Sequence, residues 1–188
     1  MDVHQAIKSR RAYRALDPVP ITRELIDDLA SSARLAPSCF NNQPWRFVFV
    51  TDENKLERMF TALSDGNIWA RNASMIVAVF SREEDDCVIR ERIYHQFDVG
   101  LGTAFMILRA AELGLVAHPI AGFSPKKTRE ILGIPAEYKV ITLVIVGKKA
   151  KDNNPQMTEK QKKTETKRPE RLPLERFVFL NNFPQEGN

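Results

Sequence analysis

Three separated segments carry residue types able to hold one ligand. Arg10, Arg11 and Arg14 set three guanidiniums within five residues, and the planar guanidinium fork suits phosphate. Taken alone, such a run is more often a solvated helix end. The second segment spans Pro37 to Trp45, where Ser38, Asn41, Asn42 and Gln43 offer hydroxyl and amide groups between a helix and a strand. Amides both donate and accept, which matches the alternating edge of a heteroaromatic ring; by itself the stretch reads as a polar turn. The third is Pro119-Ile120-Ala121-Gly122-Phe123. A glycine between an extended segment and a helix start lets backbone N–H groups approach a ligand with no side chain between, although an ordinary strand-to-helix connection looks the same.

No other constellation competes. His4, His95 and His118 are scattered, and no Ser–His–Asp or Cys–His arrangement stands out. Cys39 and Cys87 fit no metal spacing and no CxxC pair, so they are expected to be reduced, unlinked thiols and the protein to hold no metal. Trp69 and Phe123 are able to cover a ring, but core packing is the commoner use of such residues.

The elements that must position these segments follow from patterning. Val3 to Lys8 reads as a short helix ending at the arginines. Thr22 is an N-cap with Leu25, Ile26, Leu29 and Ala33 behind it at helical spacing. Trp45 to Thr51 has strand composition, Glu53 to Leu63 is helical, and Gly66-Asn67 marks a break. Ser74 to Phe80 is nearly all apolar, as in a strand covered on both faces. The longest helix is expected from about Val88 to Leu113, burying Phe97, Leu101, Ala104, Phe105, Leu108 and Ala111; its small residues Gly100, Gly102, Thr103 and Ala104 would let another helix come close. Gly114 ends it. Leu115 to Pro119 is extended, Ser124 caps a helix from Pro125 to Leu132, and Tyr138 to Gly147 is a third strong strand. The class is α+β, helices against a sheet, with no internal repeat.

Length and charge exclude several classes. The 188 residues suit one well-cored domain. The N-terminus meets arginines before any apolar run, unlike a signal peptide, and no stretch approaches the roughly 20 apolar residues of a membrane span; a soluble, cytoplasmic protein is expected. Of the net charge of +4, the excess sits in Lys148–Arg171, where nine Lys or Arg face four Asp or Glu. A local excess argues against a broad nucleic-acid face. Lys148 to Arg168 is polar with nothing to bury, a tether leading to apolar Phe177-Val178-Phe179-Leu180 that must pack on this domain or on a second subunit.

Six strings in register, SRRAYRAL, PSCFNNQPWRF, GNIWARNA, DVGLGTAFMILRAAELGL, HPIAGFSP and RPERLPLERFV, make nearly the whole chain resemble the FMN-dependent nitroreductase family. The resemblance implies a nitroreductase-like α+β sandwich: a central, mostly antiparallel sheet flanked by helices, forming an intertwined homodimer with FMN at the interface. It implies a core over residues 1–150, and an extension, 151–188, wrapping the partner subunit and adding a strand to its sheet. Arg10, assisted by Arg11, matches the arginine holding the FMN phosphate or ribityl chain; Arg14 matches the basic residue near the pyrimidine end; Arg171 matches a late residue reaching the phosphate. Pro37, Ser38, Asn41 and Gln43 match a cofactor loop supplied by the second subunit. Asn67 is placed beside the ring, and Pro119, Ile120, Ala121 and Gly122 match the segment lying against it, with a backbone N–H toward N5. Ala12 departs from the family, many of whose members carry serine there, so a hydroxyl contact is lost.

The implied activity is hydride transfer from NAD(P)H through FMN to a small oxidised acceptor such as a nitroaromatic, quinone or enone. The chain lacks the helical insertions that shape substrate pockets in longer members, so no substrate carries over. Reductive dehalogenation, flavin fragmentation with oxygen, and a non-catalytic flavin- or nucleotide-binding module whose basic tail meets an anionic partner remain alternatives; a nucleic-acid binder would rest on the local basic excess alone.

Overall fold

In the computed structural model, which describes residues 1–184, the chain runs α1 (Val3–Ser9), β1 (Leu16–Asp17), α2 (Arg23–Arg34), β2 (Arg46–Val50), α3 (Glu53–Phe60), β3 (Met75–Ser81), β4 (Val88–Ile89), β5 (Arg92–Ile93), α4 (His95–Glu112), β6 (Leu115–Ile120), α5 (Pro125–Leu132), β7 (Lys139–Lys149) and α6 (Glu159–Thr166). Side-chain oxygens of Asp2, Thr22, Asp52, Ser124 and Thr158 cap five of the helices, each accepting an N–H of the first turn. Five strands form one sheet, antiparallel throughout. β7 is its axis: β3 pairs along one side, β6 along the other, and β1 joins its C-terminal end with Leu16 opposite Lys149. β2 extends the sheet beyond β3.

β3 is buried at all seven positions, as its unbroken apolar run predicts. Side chains alternate along a strand, so Ile76, Ala78 and Phe80 join one core with Met59, Trp69 and Ile145, while Met75, Val77 and Val79 join another with Leu29, Met106 and Val144. The sheet is therefore sandwiched, with α2 and α4 on the second face.

Three expectations need correction. The long helix begins at His95, because Val88–Ile93 forms a hairpin (Val88 opposite Ile93) whose tight turn puts Arg90 at a φ of 57°. Its buried stripe is His95, Asp98, Val99, Gly102, Thr103, Met106, Ile107 and Ala110, rotated from the expected one; Ala104 is exposed, and Phe97 (64%) and Phe105 (40%) face outward. Gly102 explains the rotation: a Cβ there would lie 3.1 Å from the Trp45 ring, so the helix seats its narrow side on the core and leaves its bulky side open. Cys39 and Cys87 are not separate thiols but a disulfide, their Cα atoms 6.0 Å apart, brought together by the fold across a 48-residue separation. The supposed tether is ordered in part. Thr158 and Gln161 form a reciprocal capping box that starts α6, and Asn154, Met157 and Glu165 are buried. Beyond it, Phe177, Val178, Phe179 and Leu180 are exposed, and among the described residues no strand follows β7; residues 185–188 of the expected extension lie outside the described ones.

Candidate functional site

The arginine segment leaves α1 where the Arg10 N–H closes the last turn on the Ala6 carbonyl (2.9 Å). It then runs extended into β1, which β7 anchors. Opposite it stand the end of α6 and the chain that follows. Glu165 binds the two together: its carboxylate accepts the backbone N–H of Arg14 at 2.8 Å and of Ala15 at 3.4 Å. Arg11 donates to the Thr164 carbonyl (2.6 Å), Arg14 to the Thr164 hydroxyl (3.2 Å), and Arg168 to the carbonyls of Lys8 and Arg10.

Between these walls lies a cleft of about 180 Å³ lined by Arg10, Arg11, Ala12, Arg14, Thr164, Arg168, Pro169 and Arg171. Five guanidiniums thus converge from chain positions some 160 residues apart. Among the described residues none of the five makes an ion pair with a carboxylate. Burial, together with the charges of Arg168 and Arg171, pulls the Arg10 guanidinium below its ordinary value. Five guanidiniums against one nearby carboxylate, Glu165, which is engaged by backbone N–H groups and not by a guanidinium, leave an excess of positive charge that is a receptor for a polyanion such as a phosphate. A phosphorylated cofactor fits these residues. The Thr164 hydroxyl on the opposite wall does not replace the one missing at Ala12, since it donates to the Gln161 carbonyl (2.7 Å) and accepts from Arg14.

The glycine corner sits one layer further in. Arg14 lies 5.9 Å from the Trp69 ring centroid, and Trp69 stacks on His118 of β6 at 4.7 Å. His118 Nδ1 and the Tyr13 carbonyl are 3.0 Å apart. Burial lowers the His118 pKa to about 4, with Arg14 and Arg10 pushing the same way, so the ring is neutral. Trp69 is fully buried, a core residue. From Trp69 the chain of contacts reaches Asn67, whose Oδ1 accepts the indole N–H (3.2 Å) and whose Nδ2 donates to the Gly122 carbonyl (2.9 Å). That carbonyl also accepts from the Ser64 hydroxyl (2.9 Å) and backbone N–H (3.0 Å). Glycine is needed here for space rather than for backbone freedom: an added Cβ would run into Ser64 Oγ and come within 2.6 Å of Asn67 Nδ2. Ile120 is anchored by the Thr142 hydroxyl on its carbonyl (2.9 Å). Among the described residues no protein acceptor takes the N–H of Ala121 or Gly122, leaving two donors at this corner.

The amide-rich loop is held elsewhere. Cys39 N–H donates to buried Asp98 of α4 (2.6 Å), Gln43 N–H to the Ser38 hydroxyl (3.0 Å), and the Asn42 amide to Asp86 and to Cys87 Sγ (both 3.3 Å). Burial raises the Asp98 pKa, and neighbouring Asp86 adds to it. Phe40, Asn41 and Gln43 all adopt positive φ (48°, 59° and 51°), a cluster of left-handed non-glycine residues. Phe40 and Asn41 are exposed and Pro37 with them, while Ser38 and Gln43 are half-buried.

Of the sequence-predicted residues, then, Arg10, Arg11, Ala12, Arg14 and Arg171 share one cleft, and Asn67 meets Gly122 beside Ile120 and Ala121, linked to that cleft through Trp69. Pro37, Ser38, Asn41 and Gln43 line no part of it in a single chain. Sequence reasoning missed Arg168, Thr164 and Glu165. Arg168 stands three residues before Arg171 and was legible as a second late cation; the Thr158-x-x-Gln161 capping box announced the helix. Nothing local marks Glu165 as buried.

Comparison with known proteins bears on this architecture. The family model described as Nitroreductase family matches residues 7–73 and 66–148. A Thermus thermophilus protein named NADH dehydrogenase is 26% identical, covering 95% of this chain and 96% of its own. An Archaeoglobus fulgidus relative, whose name pairs NADH dehydrogenase with NAD(P)H nitroreductase, is 32% identical over 75% of this chain and 82% of its own. Among solved structures, one described as an oxidoreductase containing FMN superposes with a TM-score of 0.85 at 28% identity, covering 99% of this chain and 94% of that one. A nitroreductase family protein of Clostridium difficile 630 gives 0.79 at 22% identity over 97% and 100% of the two chains, a likeness of fold.

Proposed function

The chain belongs to the nitroreductase family, an oxidoreductase family, and we propose that it is an FMN-dependent NAD(P)H oxidoreductase acting as a homodimer on small oxidised acceptors such as nitroaromatics, quinones or enones. The observation carrying this reading is the cleft of five arginines, none of them ion-paired to a carboxylate among the described residues, one layer from a corner with two unengaged N–H groups. Arg10, Arg168 and Arg171, with Arg11, hold the phosphate by charge-assisted contacts. Arg14, positioned by Thr164 and Trp69, offers a cation toward the pyrimidine end, where negative charge on the reduced ring would be stabilised. The Ala121 and Gly122 N–H groups would be the donors available to the ring edge, held in place by Ile120, which is anchored in the core. When bound, FMN supplies the two-electron chemistry linking nicotinamide to acceptor.

Two features support the dimer. The outward side of α4 presents Phe97 and Phe105, and the C-terminal segment exposes Leu172, Leu174, Phe177, Phe179 and Phe183; apolar surface on this scale is usually covered by a partner. Ser38, Asn41 and Gln43, remote from the cleft within one chain, would enter the site of the second copy. Among the described residues no helix is long and apolar enough to cross a membrane.

The test is direct. Purified protein should carry or take up FMN, lose the oxidised flavin band on addition of NADH or NADPH, and turn over a nitroarene or a quinone. Arg171→Ala should weaken FMN by about 10- to 100-fold, the loss of one charge-assisted hydrogen bond of about 1.5–3 kcal/mol, while leaving riboflavin affinity within about twofold. Equal losses for the two ligands would remove the phosphate role. A flavin that nicotinamide does not bleach would leave a binding module.

A further inference from the structure

The Cys39–Cys87 disulfide closes on the loop assigned above to the cofactor of the second copy. That loop holds an unfavourable backbone. Phe40, Asn41 and Gln43 all have positive φ, a conformation that costs side-chain-bearing residues free energy and persists only where the surroundings impose it. What imposes it is short and specific: the disulfide to Cys87, the Cys39 N–H on Asp98, the Ser38 hydroxyl on Gln43, and the Asn42 amide bridging Asp86 and Cys87 Sγ. Two of these four restraints involve a cysteine sulfur. The bond also fastens the loop to the residue opening the β4–β5 hairpin, whose own tight turn carries Arg90 at positive φ.

We propose that Cys39–Cys87 is a redox-active pair, a thiol-exchange site whose reduction by an external dithiol releases the 38–43 loop and weakens flavin binding. The two sulfurs are not equivalent. Cys39 is the more exposed of the two, which directs the incoming thiolate to it. Cys87 then departs as thiolate, and the Asn42 amide, already 3.3 Å from its sulfur, donates to it. The second thiol of the reductant attacks the mixed disulfide. The S–S bond of the protein is broken, one S–S bond forms in the reductant, and two electrons and two protons pass to Cys39 and Cys87. With the covalent restraint gone, the left-handed residues relax toward ordinary backbone and Ser38, Asn41 and Gln43 leave their present positions. The loop release stands on the geometry of this chain alone; its effect on flavin rests on the functional reading above.

The experiment poises purified protein against mixtures of oxidised and reduced dithiothreitol, with a chelator present, and reads three quantities: cysteine alkylation by mass, amide hydrogen exchange over residues 37–45, and FMN affinity by fluorescence quenching. Expected are joint alkylation of both cysteines as one two-electron couple, faster exchange at 39–43 in the reduced protein, and an FMN Kd raised about tenfold, equivalent to about 1.4 kcal/mol. A Cys39→Ser/Cys87→Ser double variant should match the reduced protein in all three and ignore dithiothreitol. Alkylation of both cysteines without reductant, or exchange unchanged on reduction, would overturn the proposal. Faster exchange with unchanged Kd would keep the release and refute the flavin coupling. Failure of FMN to bind either form would refute the functional reading while the exchange result still decides the switch.

Discussion

Replacing Gly122 by alanine tests whether the glycine corner is built on steric grounds. The new methyl would meet Ser64 Oγ and sit 2.6 Å from Asn67 Nδ2. Relief to ordinary contact, about 3.4 Å or more, requires Asn67 to withdraw by most of an ångström. Its 2.9 Å bond to the Gly122 carbonyl would then break, and the matching bond from Ser64 with it. Both obstacles are side-chain tips, the Ser64 hydroxyl is exposed and the carbonyl keeps the Ser64 N–H. Loss of the part-buried Asn67 bond, about 1 kcal/mol, with mild overpacking therefore gives a destabilisation of about 1–2 kcal/mol. For a chain of this size that is a fall in melting temperature of roughly 2–8 °C. Gly66→Ala is the control, since nothing lies within 4 Å of its added Cβ; it should change stability by about 0.5 kcal/mol or less. Urea unfolding, followed by tryptophan fluorescence since Trp69 lies behind the corner, reads both. Ser64→Ala in the Gly122→Ala background removes one obstacle and should recover part of the loss, a coupling measurable by double-mutant cycle. Gly122→Ala as stable as the parent, or no coupling with Ser64, would refute the reasoning.

Two further outcomes follow from the surrounding groups. His118 is held neutral with a pKa of about 4 against 6.5 in the unfolded chain; its contribution to stability is complete above pH 6.5 and is lost as pH falls toward 4, by about 3 kcal/mol in all. His118→Phe, which keeps a ring on Trp69, should flatten the pH dependence of urea unfolding between pH 7 and 4 by that amount, and superimposable curves, or an NMR titration of His118 centred near 6.5, would contradict it. Glu165→Ala should cost about 2–3 kcal/mol by leaving the N–H groups of Arg14 and Ala15 without their acceptor, whereas Glu165→Gln should lose less than half of that; equal effects in chemical denaturation would mean that the carboxylate is not what fastens α6 to the arginine segment.

Where apolar pattern and packing agree, the fold is legible from the sequence. The Met75–Phe80 run, short and rich in β-branched residues, reads as a strand covered on both faces, and the Ser124-Pro125 cap fixes the start of α5 to the residue. The pattern misled in α4, because large apolar residues look like core, yet Gly102 decides which side the helix presents to Trp45. The convergence of Arg10 and Arg171 was legible as a resemblance, but the wall between them was not. Glu165 is buried only because two backbone N–H groups, some 150 residues upstream, need an acceptor there. The disulfide was invisible for the same reason: nothing between residues 39 and 87 announces that a hairpin will carry one sulfur to the other.

That the cleft is walled by segments some 150 residues apart in sequence has a consequence for biosynthesis. Once Lys149 has left the ribosome every strand of the sheet exists, and the domain is able to collapse around both of its cores. The polyanion receptor does not yet exist; Glu165, Arg168 and Arg171 are then still inside the ribosomal exit tunnel. A released chain cut after residue 150 should thus lack the grip on a phosphorylated ligand, and the prosthetic group, if FMN, would be captured only once residues 165–171 have emerged.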